Sequence, residues 1–182
     1  MSRSPTALRA RGLAMAIAVF ALDRGIKALL LGPFALQKVV TIPVLPFFDF
    51  RYTQNFGVSL GMFTATSAET RLMLIAVTAL IALGVMVWML REKAAGDIAG
   101  LALVLGGALG NIYDRINFGF VVDYADLHIG EWRPFLIFNL ADAAITIGVL
   151  ILLARSLLSR EKPPSDDDQP GEAPSATETI DA

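Results

Sequence analysis

Cysteine is absent from this 182-residue chain, and histidine occurs once, at His128. Without thiols there is no disulfide, no thiolate nucleophile and no cysteine-based metal site, and the chain itself cannot carry a thioether-linked lipid. His128 reads as an interfacial loop residue rather than a metal ligand. Charge is scarce wherever the chain is most apolar, and the run from Leu72 to Leu90 carries none. With 55% apolar residues, a mean hydropathy of +0.60 and room for one compact unit, the chain belongs to the membrane class.

Four stretches approach the roughly 20 residues that cross a bilayer core. They predict transmembrane helices over about 12–32, 72–90, 98–113 and 134–156, joined by outer loops 33–71 and 114–133. The expected class is an all-α membrane protein with one domain over 1–160. Residues 161–182 are acidic and proline-rich with little to bury, and predict a disordered cytoplasmic tail. That tail dominates the net charge of −2, which therefore says little else. The N-terminal stretch is expected to be a retained helix and not a cleaved leader, because Asp23 and Arg24 interrupt it and Leu29–Leu31 follow.

Arg3, Arg9 and Arg11 precede the first span, Arg91 and Lys93 sit in the 91–97 turn, and Arg155, Arg160 and Lys162 follow the last. The cytoplasmic excess of basic residues places both termini inside and the two long loops outside. Within the first outer loop, 39–44 and 48–53 are rich in β-branched and aromatic residues, predicting two or three short surface strands. The stretch 55–63 is apolar and punctuated by glycine.

The polar residues in these dry spans form a short set. Asp23 and Lys27 are one turn apart, and Asn111, Asp114 and Arg115 share one side of the third helix end. Gly106 and Gly110, spaced by four, let a neighbouring backbone approach closely. On the fourth run Asn139 and Asp142 share a face, with Asp142 expected about 12 Å beyond Pro134. A carboxylate at membrane depth is costly and marks a functional site. A shared, wetted cavity opening outward accounts for all of these groups together.

At this point the chain resembles the lipoprotein signal peptidases (signal peptidase II). The resemblance rests on Asp23-x-x-x-Lys27, Asn55-x-Gly57, Gly-Gly-Ala-Leu-Gly-Asn111-x-x-Asp114-Arg115 with Val-Val-Asp123, and Phe-Asn139-x-Ala141-Asp142, across about residues 12–158. Departures occur at Val58–Leu60 and at Trp132–Ile137, both on the substrate-facing rim. The resemblance implies an intramembrane aspartic endopeptidase of the bacterial inner membrane that cuts diacylglyceryl-modified prolipoproteins just before the lipid-bearing cysteine. It implies a small extracytoplasmic sheet cradling the substrate, Asp123 and Asp142 as the catalytic pair, and support from Asn111, Asp114, Arg115 and Asn139. Asp23, Lys27, Asn55 and Gly57 match further family positions, and Gly107, Gly110 and Ala141 are expected to leave room for the peptide.

Two carboxyl groups close together in a low-dielectric site share one proton, so one can activate water while the other donates to the carbonyl oxygen. That chemistry needs no cofactor or metal. The expected partners are the prolipoprotein and membrane lipid, with no nucleic acid, and the enzyme is expected to act as a monomer. Two other classes use such acids: a proton-coupled transporter, which needs them at several depths, and a metal-dependent hydrolase built on Asp114, Asp123 and Asp142.

Overall fold

The computed structural model describes residues 5–57 and 68–159. Its elements in chain order are α1 (Pro5–Leu31), the short α2 (Leu36–Val39), β1 (Thr41–Leu45), β2 (Phe48–Asn55), α3 (Ala68–Arg91), α4 (Ala95–Asn117), β3 (Val121–Leu127) and α5 (Leu140–Ser159). Three helices are long and apolar enough to cross a membrane: α3, α4 and Leu140–Leu158 of α5. The expected tail at 161–182 and most of the glycine-punctuated stretch at 55–63 lie outside the described residues.

Helix α4 is the hub, packing against α1, α3 and α5. Its glycines explain how. A Cβ at Gly106 would sit 2.6 Å from the Ala16 carbonyl oxygen of α1, and one at Gly107 would strike the Ala141 carbonyl oxygen of α5. Gly100 and Gly148 face each other across α4 and α5 in the same way. Small residues at these spacings let backbones touch where no hydrophobic effect drives helices together. By contrast, α3 buries only Ala82 and Met89 among its described residues and leaves Leu72, Met73, Leu80, Ile81 and Trp88 exposed, a face suited to lipid.

One apolar cluster, with Ala16, Met89, Leu101 and Leu105, joins α1, α3 and α4. A second, with Leu30, Leu36, Tyr124 and Ala125, seats the sheet on the end of α1. Along α1, Asp23 and Lys27 fall between the two.

The sheet is antiparallel in the order β1-β2-β3. The first outer loop was expected to supply all of it, yet β3 comes from the second. Thr53 lies opposite Asp123, with an irregularity in β2 between Phe50 and Thr53.

Three helix boundaries differ from expectation. Helix α1 is already helical at Pro5, ahead of the expected start near residue 12. Helix α4 runs to Asn117, so Asp114 and Arg115 are helical and not part of the following loop. Helix α5 starts at Leu140 and not at Pro134. The Phe138 backbone pairs with Tyr124 and Ala125 of β3 at 2.7–3.2 Å, which keeps the residues just before α5 out of the helix. Asn139 and Asp142 then close a reciprocal cap: Asp142 N donates to Asn139 Oδ1 at 2.9 Å, and Asn139 N donates to Asp142 Oδ2 at 3.2 Å. Asp142 is therefore in the first turn of its helix rather than 12 Å along it.

Candidate active site

Asp123 enters from β3 and Asp142 from the start of α5, and one residue touches both. Asn139 Nδ2 donates to Asp123 Oδ1 at 2.6 Å, while its backbone amide holds Asp142. Asn111 Nδ2 donates to Asp142 Oδ1 at 2.8 Å, and Asn139 Nδ2 also lies 3.3 Å from Asn111 Oδ1. On the opposite side Asn55 Nδ2 donates to Asp123 Oδ2 at 3.0 Å. Asn55 is two residues from Thr53, the partner of Asp123 across the sheet, and so is its diagonal neighbour on one face. Asn55 Oδ1 accepts from Gly57 N at 3.0 Å, and Gly57 adopts φ +137°, where only glycine is unstrained.

A second group of charges lies behind this pair. Lys27 Nζ is 2.7 Å from Asp114 Oδ2 and 2.9 Å from Asp23 Oδ2, and all three side chains are fully buried. Arg24 pairs with Asp114 Oδ1 and lays its guanidinium 4.3 Å from the Tyr113 ring centre. The two carboxylates also grip backbone. Asp114 Oδ2 accepts from Val122 N at 3.1 Å, and Asp23 Oδ1 accepts from Ala141 N at 3.3 Å. Val122 and Ala141 immediately precede Asp123 and Asp142, so the cluster fixes the backbone that presents each acid. Asp114 is thereby committed to Lys27, Arg24 and Val122 and does not join the other two acids. Among the described residues no three His, Asp or Glu side chains gather as a metal site.

The model of the family described as signal peptidase (SPase) II matches residues 15–158. The chain belongs to the signal peptidase II family. Relatives named lipoprotein signal peptidase include one from Rhizorhabdus wittichii, 53% identical over 153 residues (84% of this chain, 89% of the relative). Another, from Sphingopyxis alaskensis, is 51% identical over 159 residues (87% and 92%). A bacterial membrane enzyme solved at 2.3 Å by the in meso method has the same fold, with a TM-score of 0.70 at 23% identity over 91% of this chain and 95% of that one.

In this signal peptidase II chain, Asp123 and Asp142 line one cleft of about 880 Å³. Its walls are the end of β2, including Thr53 and Asn55, and the non-helical segment before α5, including Phe135 and Phe138. Asp123 is buried, and desolvation, reinforced by the charge of Asp142, pushes its carboxyl up from 3.8 to about 6 against the two asparagine amides. Arg115 lies near both acids with its Nε buried and unpartnered, while its Nη1 reaches only the Asn111 carbonyl at 3.4 Å.

Gly107, Gly110 and Ala141 do not line open space as expected. A Cβ at Gly110 would meet Asp23 Oδ2 at 2.7 Å, and the surroundings of Gly107 and Ala141 are filled where α4 meets α5. Their smallness seats the last helix and the ion cluster instead of a peptide. Sequence reasoning missed Arg24, whose partner is ninety residues away. It also missed Tyr124, whose hydroxyl accepts from Leu140 N at 3.1 Å, and buried Asp126. Neither had a usable signal, because β3 is buried on both faces and shows no clean apolar–polar alternation.

Proposed function

We propose that this chain removes signal peptides from diacylglyceryl-modified prolipoproteins, cutting before the lipid-bearing cysteine, with Asp123 and Asp142 as its catalytic dyad. The observation that carries this reading is Asn139, which hydrogen-bonds both carboxyl groups at the floor of one cleft. Asp123 is the member pushed up, to about 6, and is assigned the shared proton. Asp142, in a first helical turn where backbone amides favour a carboxylate, is assigned the role of base.

Water attacks the scissile carbonyl carbon as Asp142 takes its proton, and Asp123 gives its proton to the carbonyl oxygen. The tetrahedral diol collapses when Asp123 takes that proton back and Asp142 protonates the departing amine nitrogen. Both acids return to their starting states. The free donors of Arg115 hold substrate carbonyls.

The chain is a membrane protein, and α1 is assigned as a fourth span. The pairing of Lys27 and Arg24 with Asp23 and Asp114 supports this, because charges at membrane depth persist when paired. Both termini are assigned to the cytoplasm and the dyad to the outer face of the bacterial inner membrane, with the enzyme acting as a monomer. The deciding experiment compares a diacylglyceryl-modified precursor with its unmodified form, with and without chelator. Cleavage of the modified form alone, indifferent to chelator, is expected. Equal cleavage of both forms would remove the substrate assignment, and loss of activity with chelator would remove the two-acid mechanism.

A further inference from the structure

A second charged group borders the cleft and has no part in the chemistry above. Asp126, on β3, is buried, and its Oδ2 lies 3.1 Å from Arg133 Nε and 3.7 Å from Arg51 Nη1. Arg51 comes from β2 and Arg133 from the segment leading into α5, so the two cations stand on opposite walls and both line the cleft. Their side chains are 43% and 37% exposed. Arg133 also directs Nη1 to the Glu131 carbonyl oxygen at 3.5 Å. Two guanidiniums on one carboxylate leave the trio a net positive charge, with most donors of Arg51 uncommitted.

We propose that Arg51 and Arg133 form a cationic rim that selects for an acidic side chain downstream of the scissile bond. This rests on the peptidase reading above. Asn55, which touches Asp123, and Arg51 are four residues apart on β2, about 13 Å at roughly 3.3 Å per residue. An extended substrate leaving the dyad covers that distance in about four residues. Downstream is the side that meets the rim. The apolar part of a signal peptide stays with lipid at the helices, while the mature segment leaves along the sheet. An anionic lipid headgroup has the same charge, but the two arginines share the cleft with the dyad and do not stand on the lipid-facing surface of a helix such as α3.

The test uses the full-length enzyme in phosphatidylcholine vesicles and diacylglyceryl-modified precursors carrying Asp, Asn or Lys at successive places after the cut. Asp at about the fourth place is expected to give a KM roughly fivefold below that of Lys with similar kcat, the scale of a partly exposed ion pair. The gap narrows at about 0.5 M salt. It closes in Arg51→Gln and Arg133→Gln, each of which leaves Asp126 one cation, and reverses in Arg51→Glu. Equal KM for Asp and Lys at every place overturns the rim. So does an equal loss for all three substrates in the glutamine variants, which would make the trio a clasp between the walls. A preference that appears only when phosphatidylglycerol is added overturns it in favour of a headgroup site. Failure of the wild type to cleave any precursor, Asn included, defeats the peptidase reading itself and is told apart by that control.

Discussion

Four of the acids near the junction of helices and sheet divide into two pairs with opposite surroundings. Asp23 and Asp114 share Lys27, with Arg24 closing the far side, and have no solvent access. Asp123 and Asp142 enter no ion pair among the described residues and are held by the neutral amides of Asn55, Asn111 and Asn139 on an open cleft. A carboxylate matched by a cation and a backbone amide serves as a strut. The open pair has no such cation beside it, and desolvation with the charge of Asp142 raises the Asp123 carboxyl against the amides that hold it. One residue type is thus held in two ways, by cations in the closed pair and by neutral amides in the open pair proposed to be catalytic.

The largest test of that contrast is Asp123→Asn or Asp142→Asn. Cleavage of a modified precursor should fall by on the order of a thousandfold or more, since each acid moves a proton in the reaction. The variants should still insert and unfold cooperatively in detergent. Substantial turnover by either would erase the distinction between the pairs.

Lys27→Met removes the cation shared by the closed pair, leaving buried Asp23 without one and Asp114 with Arg24 alone. The expected cost is about 3–5 kcal/mol of stability, read as a lowered unfolding midpoint. Adding Asp23→Asn to that variant should recover part of the loss. A midpoint unchanged by Lys27→Met would show that the cluster is no strut.

Asn139→Ala is intermediate. It removes a helix cap worth about 0.5–2 kcal/mol and the amide shared by both acids, so activity should fall further than stability explains. A variant with normal turnover would show that the shared amide is dispensable.

Proton linkage gives a smaller effect. Because the Asp123 carboxyl is raised, the folded state holds its proton more tightly than the unfolded one. That contribution to stability is complete below pH 3.8 and is lost as pH rises through about 6. Between pH 5 and pH 8 it amounts to roughly 1–1.5 kcal/mol, and it should vanish in Asp123→Asn. An Asp123→Asn protein with the wild-type pH slope would place the titrating group elsewhere. Deleting residues 161–182 should change activity least, leaving turnover near normal in the same assay.

What could be read from the chain, and what could not, follows the same physics. Helix α3 was plain because a run of nineteen residues without a charge has one common solution in lipid. The acids stood out because charge is rare in such surroundings. The start of α5 was misplaced because Pro134–Phe138 is as apolar as the helix after it, and main-chain pairing of Phe138 with β3 keeps it out of the helix. That pairing is non-local and leaves no periodic trace. Strand β3 was missed because its seven residues lie between helices, and all but the last are buried, which obscures alternation. The glycines near residue 107 were rightly seen as permitting close approach. What approaches, a helix backbone and an ion cluster, depended on the packing of α5.

The one-turn spacing of Asp23 and Lys27 has a consequence for biosynthesis. The two charges cancel within α1 as soon as that helix winds, before Asp114 or Ala141 has left the ribosome. The proposed first span therefore carries that pair already neutral, and its carboxylate is ready to catch the Ala141 amide when α5 arrives. The proposed dyad is thus incomplete in the nascent chain until α5 docks.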